Sequence, residues 1–247
     1  MTRLSKIMEA YNLSDEEVKT ALDVAQTEKN ARERERKYWE SVNQEKENRF
    51  EFLDYETLKP YFKSSYKARN GVVFQETDDN VELIDKLCMY FANDPKFDQY
   101  GSRDKGLLIQ GPVGCGKTSI MKAFQNIGFR SFGIIECKEL ERQYDQKGFG
   151  SLEKYYSIKL DWEKREHGWL FDDLGWESKG KHYGKETNVM EEVLEAINHR
   201  VIWRCFHVTS NDSLDSLSEK YGDRIMSRMK MMFNQIAYSP KAKDMRS

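Results

Sequence analysis

Gly111-Pro112-Val113-Gly114-Cys115-Gly116-Lys117-Thr118 fills every fixed position of the pattern G-x-x-x-x-G-K-[ST]. Glycines at those positions let the backbone turn so that successive N–H groups face one anion. A helix beginning near Lys117 points its positive end at the same place. The Lys117 ammonium then reaches the β- and γ-phosphates, and the Thr118 hydroxyl supplies one oxygen to Mg²⁺. The loop therefore predicts a nucleoside triphosphate held by Gly111, Pro112, Val113, Gly114, Cys115, Gly116, Lys117, Thr118 and Ser119.

Further along, Trp169-Leu170-Phe171-Asp172-Asp173-Leu174-Gly175 puts two carboxylates at the end of an apolar run. Acids at the C-terminal end of a strand lie beside the phosphate loop in open α/β sheets. That position suits Asp172 to hold Mg²⁺ and Asp173 to orient the attacking water. The alternative for both is a solvated strand end or a helix cap. Phe206-His207-Val208-Thr209-Ser210-Asn211 repeats the arrangement, with Asn211 able to bond the γ-phosphate or the water, or else to make an Asx turn.

These groups need a scaffold that brings strand ends together. Short apolar runs at Gly106–Gln110, Phe132–Ile135, Trp169–Phe171, Val201–Thr209 and Gln235–Tyr238 read as five strands separated by helical stretches. Alternation of that kind predicts a parallel sheet with helices on both faces. Thr77-Asp78-Asp79 is expected to cap a helix with Leu83, Ile84, Leu87, Cys88 and Phe91 on one face, and the phosphate loop to open a helix bearing Ile120, Met121, Ala123, Phe124 and Ile127.

Residues 1–60 differ in kind. They contain no glycine and carry 11 Lys+Arg against 14 Asp+Glu. Ser14-Asp15-Glu16-Glu17 reads as a capping box, and Glu28/Arg32, Glu33/Lys37 and Glu45/Arg49 as helical i,i+4 pairs. A charged helical arm over 1–60 is expected, interrupted at Pro60, followed by one ATPase-sized domain over 61–247.

The composition limits the partners. Forty Lys+Arg against 42 Asp+Glu exclude a globally basic polyanion binder, and 13% aromatic residues argue for a packed core. The longest apolar run, Leu87 to Ala92, is far short of a membrane span, and Met1 to Asn12 lacks the apolar core of a secretory signal, so a cytoplasmic protein without membrane contact is expected. Four scattered cysteines give neither a zinc pattern nor a disulfide framework.

Taken together, the phosphate loop, Phe171-Asp172-Asp173-Leu174-Gly175-Trp176-Glu177, Thr209-Ser210-Asn211 and Gly222-Asp223-Arg224-Ile225-Met226-Ser227-Arg228-Met229 resemble the AAA+ ATPases. Within them the likeness is to the bacterial helicase-loader and transposition-helper clade of DnaC, DnaI and IstB-like proteins, over about residues 70–238. The resemblance implies an ATP- and Mg²⁺-dependent ATPase that oligomerises when ATP-bound. It gives Arg228, or alternatively Arg224, the role of reaching into the neighbouring subunit's site; helical salt bridges are the bland alternative. Asp173 stands where most AAA+ proteins carry a Glu one methylene longer, although IstB-like proteins share the Asp-Asp pair. No C-terminal lid is evident.

Family members bind single-stranded DNA, and two segments here are suited to it. One is an inserted helical region over Lys138–Arg165, bearing Phe149, Tyr155 and Tyr156 among lysines. The other, preferred, is a flexible basic loop with Ser178, Lys179, Lys181, His182, Tyr183 and Lys185. Residues 220–247 add seven Lys+Arg against two Asp+Glu. The expected function is loading or regulating a replicative helicase on single-stranded DNA, the N-terminal arm binding that partner. An IstB-like helper of a transposase and a nucleotide-gated interaction module with little hydrolysis are the alternatives.

Overall fold

The computed structural model describes residues 14–47, 54–125, 130–160, 166–200 and 202–238. Ile127, Val201, the Glu45/Arg49 pair and the basic residues after Tyr238 lie outside the described residues or side chains. The chain divides into two compact units, Met1–Arg49 and Phe50–Ser247.

The first unit is helix α1 (Asp15–Glu47). Its start is the capping box read from the sequence. Ser14 N donates to Glu17 Oε2 at 2.9 Å, and Glu17 N to Ser14 Oγ at 3.3 Å. The Ser14 N–H and the Ser14 hydroxyl, at 2.8 Å, both donate to the Glu17 carboxylate and hold it below the usual range. Lys37 meets Glu33 at 3.5 Å and Arg36 meets Glu40 at 3.7 Å, while Leu22 and Val24 stay exposed.

The second unit opens with α2 (Tyr55–Asn70), capped by the Asp54 carboxylate accepting Thr57 N–H at 2.7 Å. Pro60 sits inside this helix, correcting the interruption expected there; near an N-terminus a proline deprives only one carbonyl, that of Glu56. The division between the two compact units falls before α2, at 49/50. Next comes α3 (Val81–Phe91), whose N-cap is Asn80, not Thr77–Asp79; the Asn80 amide instead ties Thr77 N and Gln75 O into a turn.

From there the elements alternate: β1 (Gly106–Gln110), α4 (Lys117–Phe124), β2 (Arg130–Glu136), α5 (Cys137–Lys147), β3 (Lys159–Leu160), β4 (Glu166–Leu174), the hairpin β5 (Gly180–His182) and β6 (Lys185–Thr187), α6 (Val189–Asn198), β7 (Phe206–Ser210), α7 (Leu214–Met232) and β8 (Phe233–Ala237). The five parallel strands run in the order β2-β4-β7-β1-β8, with β3 added antiparallel to β4. All five strands expected from the sequence are present. The β7 strand begins later than expected, at Phe206, after a turn closed by Phe206 N–H to Trp203 O at 2.8 Å. The region after β2 is helical only to Lys147; short 3₁₀ turns and β3 follow as far as Leu160, and residues 161–165 of the expected insertion lie outside the described residues.

Alternation along the strands builds two cores. Leu107, Ile109 and Leu170 face α2, α3 and α4, whereas Leu108, Phe171, Phe206 and Val208 face α5, α6 and α7. At the N-terminal strand ends Arg204 forks onto the fully buried Glu166 at 2.9 and 2.5 Å, a paired charge in an otherwise apolar layer. Among the described residues no helix is long and apolar enough to cross a membrane.

His207 lies at the centre of the first core among the edges of Phe91, Phe132 and Tyr90, and neither ring nitrogen has a hydrogen-bond partner. Burial, assisted by Arg130, pulls it down to about 3 from 6.5. Below pH 6.5 the unfolded chain therefore takes up a proton that the folded chain refuses until about pH 3. Stability falls as pH falls through that window, by about 1.4 kcal/mol per unit for this group. Replacing His207 with Leu is expected to remove one proton's worth of that slope, measured by denaturant unfolding at several pH values in the window.

Candidate nucleotide site

The C-terminal ends of β1, β4 and β7 meet at one cavity of ≈ 930 Å³. Its floor is the phosphate loop. Gly114 and Gly116 have φ of 82° and 90°, a region that only glycine enters without strain, and Gly116 is the N-cap of α4. Val113 is 62% exposed at the mouth, whereas Cys115 is buried beneath the loop. Ser119, on the first turn of α4, also lines the cavity. Its carbonyl accepts the Asn70 amide at 3.2 Å.

Lys117 is almost fully buried, an arrangement that needs oxygen partners for its charge. Nζ donates to Gly111 O at 2.8 Å, Pro112 O at 3.0 Å and Asn211 Oδ1 at 2.7 Å. The other end of the Asn211 amide donates to Asp173 Oδ1 at 2.9 Å. Lys117, Asn211 and Asp173 thus form one chain across the cavity, joining three strand ends.

In a regular strand adjacent side chains point to opposite faces, so Asp172 and Asp173 need an irregularity to serve one site. The structure supplies it. Phe171 pairs with Val208, but Leu174 pairs with Ser210, leaving one extra residue in β4. This bulge sits at the acid pair. Asp173 takes φ of 56° and lines the cavity, and Asp172 turns inward to α4. Thr118 Oγ1 donates to both Asp172 oxygens, at 2.9 and 3.0 Å, and Thr209 Oγ1 to Oδ1 at 2.5 Å. Thr209 Oγ1 also accepts Asp173 N–H at 3.0 Å. Burial raises the Asp172 carboxyl above the ordinary carboxylate range; the two hydroxyls pull it back.

A hydroxyl and a carboxylate converging at the phosphate loop are hard oxygen donors of the kind Mg²⁺ takes when phosphate and water complete its shell. The Thr118–Asp172 pair fits that ion. Among the described residues no cluster of three or more His, Cys, Asp or Glu forms a self-sufficient metal cage.

Sequence reasoning missed the opposite wall. Tyr66 and Asn70 at the end of α2, with Val72 and Val73 beyond its glycine stop, close the cavity from about 40 residues upstream. Val72 and Val73 are more than half exposed, as is Trp176 at 74%. A pair of valines directly after a helix-ending glycine was the available signal. Thr209 was seen only as part of a motif, although it ties both acids together.

The remaining candidates lie elsewhere. Arg224 and Arg228 both pair with Glu195 on α6, Arg224 at 3.2 Å; the Arg224 side chain is 75% exposed and that of Arg228 22%. The basic loop is the ordered hairpin β5–β6, a correction to the flexible loop expected. Ser178 N and Lys181 N are anchored on Glu141 and Asp145 of α5, Lys181 pairs with Glu186 at 2.9 Å, and His182 packs over Gly148. Lys179 and Lys185 are exposed, Lys185 lying over the Phe149 ring. Tyr183 at the tip is 97% exposed. None of these hairpin residues lines the cavity. Tyr155, a stacking candidate in the sequence, is instead core, packed on Trp169.

Comparison with solved structures places this arrangement. A candidate primosome component from Streptococcus pyogenes serotype M3 matches with a TM-score of 0.50 at 14% identity, over 72% of this chain and 90% of its own. A DnaI structure matches with a TM-score of 0.50 at 20% identity, over 73% of this chain and 92% of its own. The chain shares its fold with these two structures. No family model and no curated protein sequence matches the chain. In this domain the phosphate loop follows the strand between β7 and β8, and the acid pair ends the strand on the far side of β7.

Replacing Thr209 with Val keeps the shape but removes the hydroxyl shared by Asp172 and the Asp173 N–H. The expected cost is about 2 kcal/mol of stability, by denaturant unfolding, with Ser restoring most of it.

Proposed function

We propose that this protein is an ATPase of the DnaC/DnaI-like helicase-loader type, which assembles on single-stranded DNA and delivers or regulates a replicative helicase. The observation that carries the reading is the convergence of Lys117, Thr118, Asp173 and Asn211 on one cavity, with Asp172 bonded to Thr118 just behind its wall. The fold shared with DnaI and the primosome component supports the replication context.

ATP enters with its phosphates on the loop N–H groups and the α4 N-terminus. Lys117 exchanges its carbonyl partners for phosphate oxygens, and Asn211 stays between the γ-phosphate and Asp173. Thr118 and Asp172 would hold Mg²⁺, which would supply charge neutralisation to the phosphates. Asp173 orients water for in-line attack and accepts its proton. Its side chain is one methylene shorter than Glu, so turnover is slow, and the ATP-bound state persists long enough to act as a signal. Arg224 completes the site of an adjacent subunit in a homo-oligomer; its greater exposure favours it over Arg228 for that role.

The hairpin β5–β6 offers single-stranded DNA a stacking face at Tyr183 and phosphate contacts from Lys179, Lys181 and Lys185, with Ser178 and His182 as its anchors. The N-terminal arm, with Leu22 and Val24 exposed on α1, binds the helicase.

The test is steady-state ATP turnover with and without single-stranded DNA. Lys117→Ala is expected to abolish nucleotide binding and turnover together. Arg224→Ala is expected to keep binding and to lose turnover by about a thousandfold. Unchanged turnover in a chain carrying both Arg224→Ala and Arg228→Ala contradicts assembly through a trans arginine.

A further inference from the structure

Glu177 is buried, its side chain wholly shielded from solvent, and it plays no part in the site as described so far. An ionised carboxylate in that position is costly unless several donors meet it. Among the described residues its donors come from two places. Oε2 accepts Gly175 N–H at 3.0 Å, and the opposite side is met by the Tyr221 hydroxyl and by Lys220 at 3.3 Å, both from α7. Lys220 Nζ in turn donates to Gly175 O and Glu177 O, each at 2.5 Å. Burial and the Glu177 charge hold the Tyr221 hydroxyl protonated, so it acts as a donor.

Everything these contacts grip is the turn that leaves the acid pair. Asp173 opens it in the left-handed region, and Trp176 N–H closes it on Asp173 O at 3.3 Å. Gly175 has φ of 106°, and a Cβ there would meet Asp212 at 2.1 Å. A left-handed Asp is held against its own preference only by surroundings that over-determine it. On one side those surroundings are Thr209 and Asn211. On the other they are Glu177, Lys220 and Tyr221. The two α7 residues come immediately before Gly222, where the helix breaks with φ 76° and ψ 164°. The latch therefore fixes the turn to the first half of α7.

We propose that Glu177 is a positioning residue for Asp173. Through Gly175 N–H, Lys220 and Tyr221 it locks the turn after the acid pair, so that the Asp173 carboxylate faces the γ-phosphate side of the cavity. This role rests on Asp173 orienting the attacking water, as in the proposed function. It does not require Glu177 to touch ATP, Mg²⁺ or water.

The test compares full-length wild type with Glu177→Gln and Tyr221→Phe, measuring ATP affinity with a fluorescent analogue and turnover separately. Glu177→Gln keeps the volume and one acceptor but loses the charge facing Lys220; Tyr221→Phe removes one hydroxyl from a fold that otherwise keeps its packing. The expected result is a fall in kcat of about tenfold in each variant with nucleotide affinity close to wild type, the unfolding midpoint falling as expected when a buried carboxylate loses its charge or a donor but staying above the assay temperature. Wild-type kcat in both variants overturns the role, as does a loss of affinity equal to the loss of kcat, which is what a merely structural residue produces. A wild-type chain that binds ATP but never hydrolyses it overturns the proposed function and this role with it. A hydrolysing wild type indifferent to both substitutions overturns this role alone.

Discussion

The buried carboxylate of Asp172 imposes the constraint that organises the site. Taking an ionised carboxylate out of water costs several kcal/mol, and only donors aimed at it can offset that cost. Here two hydroxyls do so, Thr118 from α4 and Thr209 from β7, while Asp172 itself comes from β4. One electrostatic requirement therefore ties the helix after the phosphate loop to two strands of the sheet. The bulge in β4 follows from the same need: without the extra residue, Asp172 could not turn inward while Asp173 lines the cavity. Lys117, buried against carbonyls and the Asn211 amide, is the matching cation, and the two networks share Asp173 as a neighbour.

The rest of the second unit supports that meeting point. Alternating strands feed two apolar layers, and the Glu166–Arg204 pair closes the far ends of the strands, away from the cavity. Charge is thus confined to the two ends of the sheet, and the middle is packed by apolar and aromatic side chains with His207 kept neutral among them. An uncharged centre between two satisfied charged ends lets the strand tips hold the geometry that a phosphate-binding loop requires.

Much of this was legible in the sequence because it is encoded locally. The phosphate loop has a fixed spacing dictated by backbone geometry, and the five strands are short apolar runs bounded by polar residues. Whatever depended on distant contacts was not legible. The wall of Tyr66, Asn70, Val72 and Val73 belongs to the cavity only because α2 packs against α4. The hairpin β5–β6 has no apolar alternation, since its order comes from Glu141 and Asp145 on α5 rather than from its own side chains. Tyr155 looked like a stacking residue among lysines, yet Trp169 claims it for the core. Pro60 looked like a break, yet an early position in a helix leaves only one carbonyl without its partner.

The central claim is that the carboxylate–hydroxyl–ammonium cluster at the strand ends forms a site for a nucleoside triphosphate with its divalent cation. Calorimetric titration of ATP into the full chain, with Mg²⁺ and again with a chelator, tests it most directly. The account predicts one site per chain, with affinity at least tenfold weaker when Mg²⁺ is withheld, since the Thr118–Asp172 pair then loses its bridge to the phosphates. No heat of binding under either condition, or binding indifferent to the cation, would contradict it.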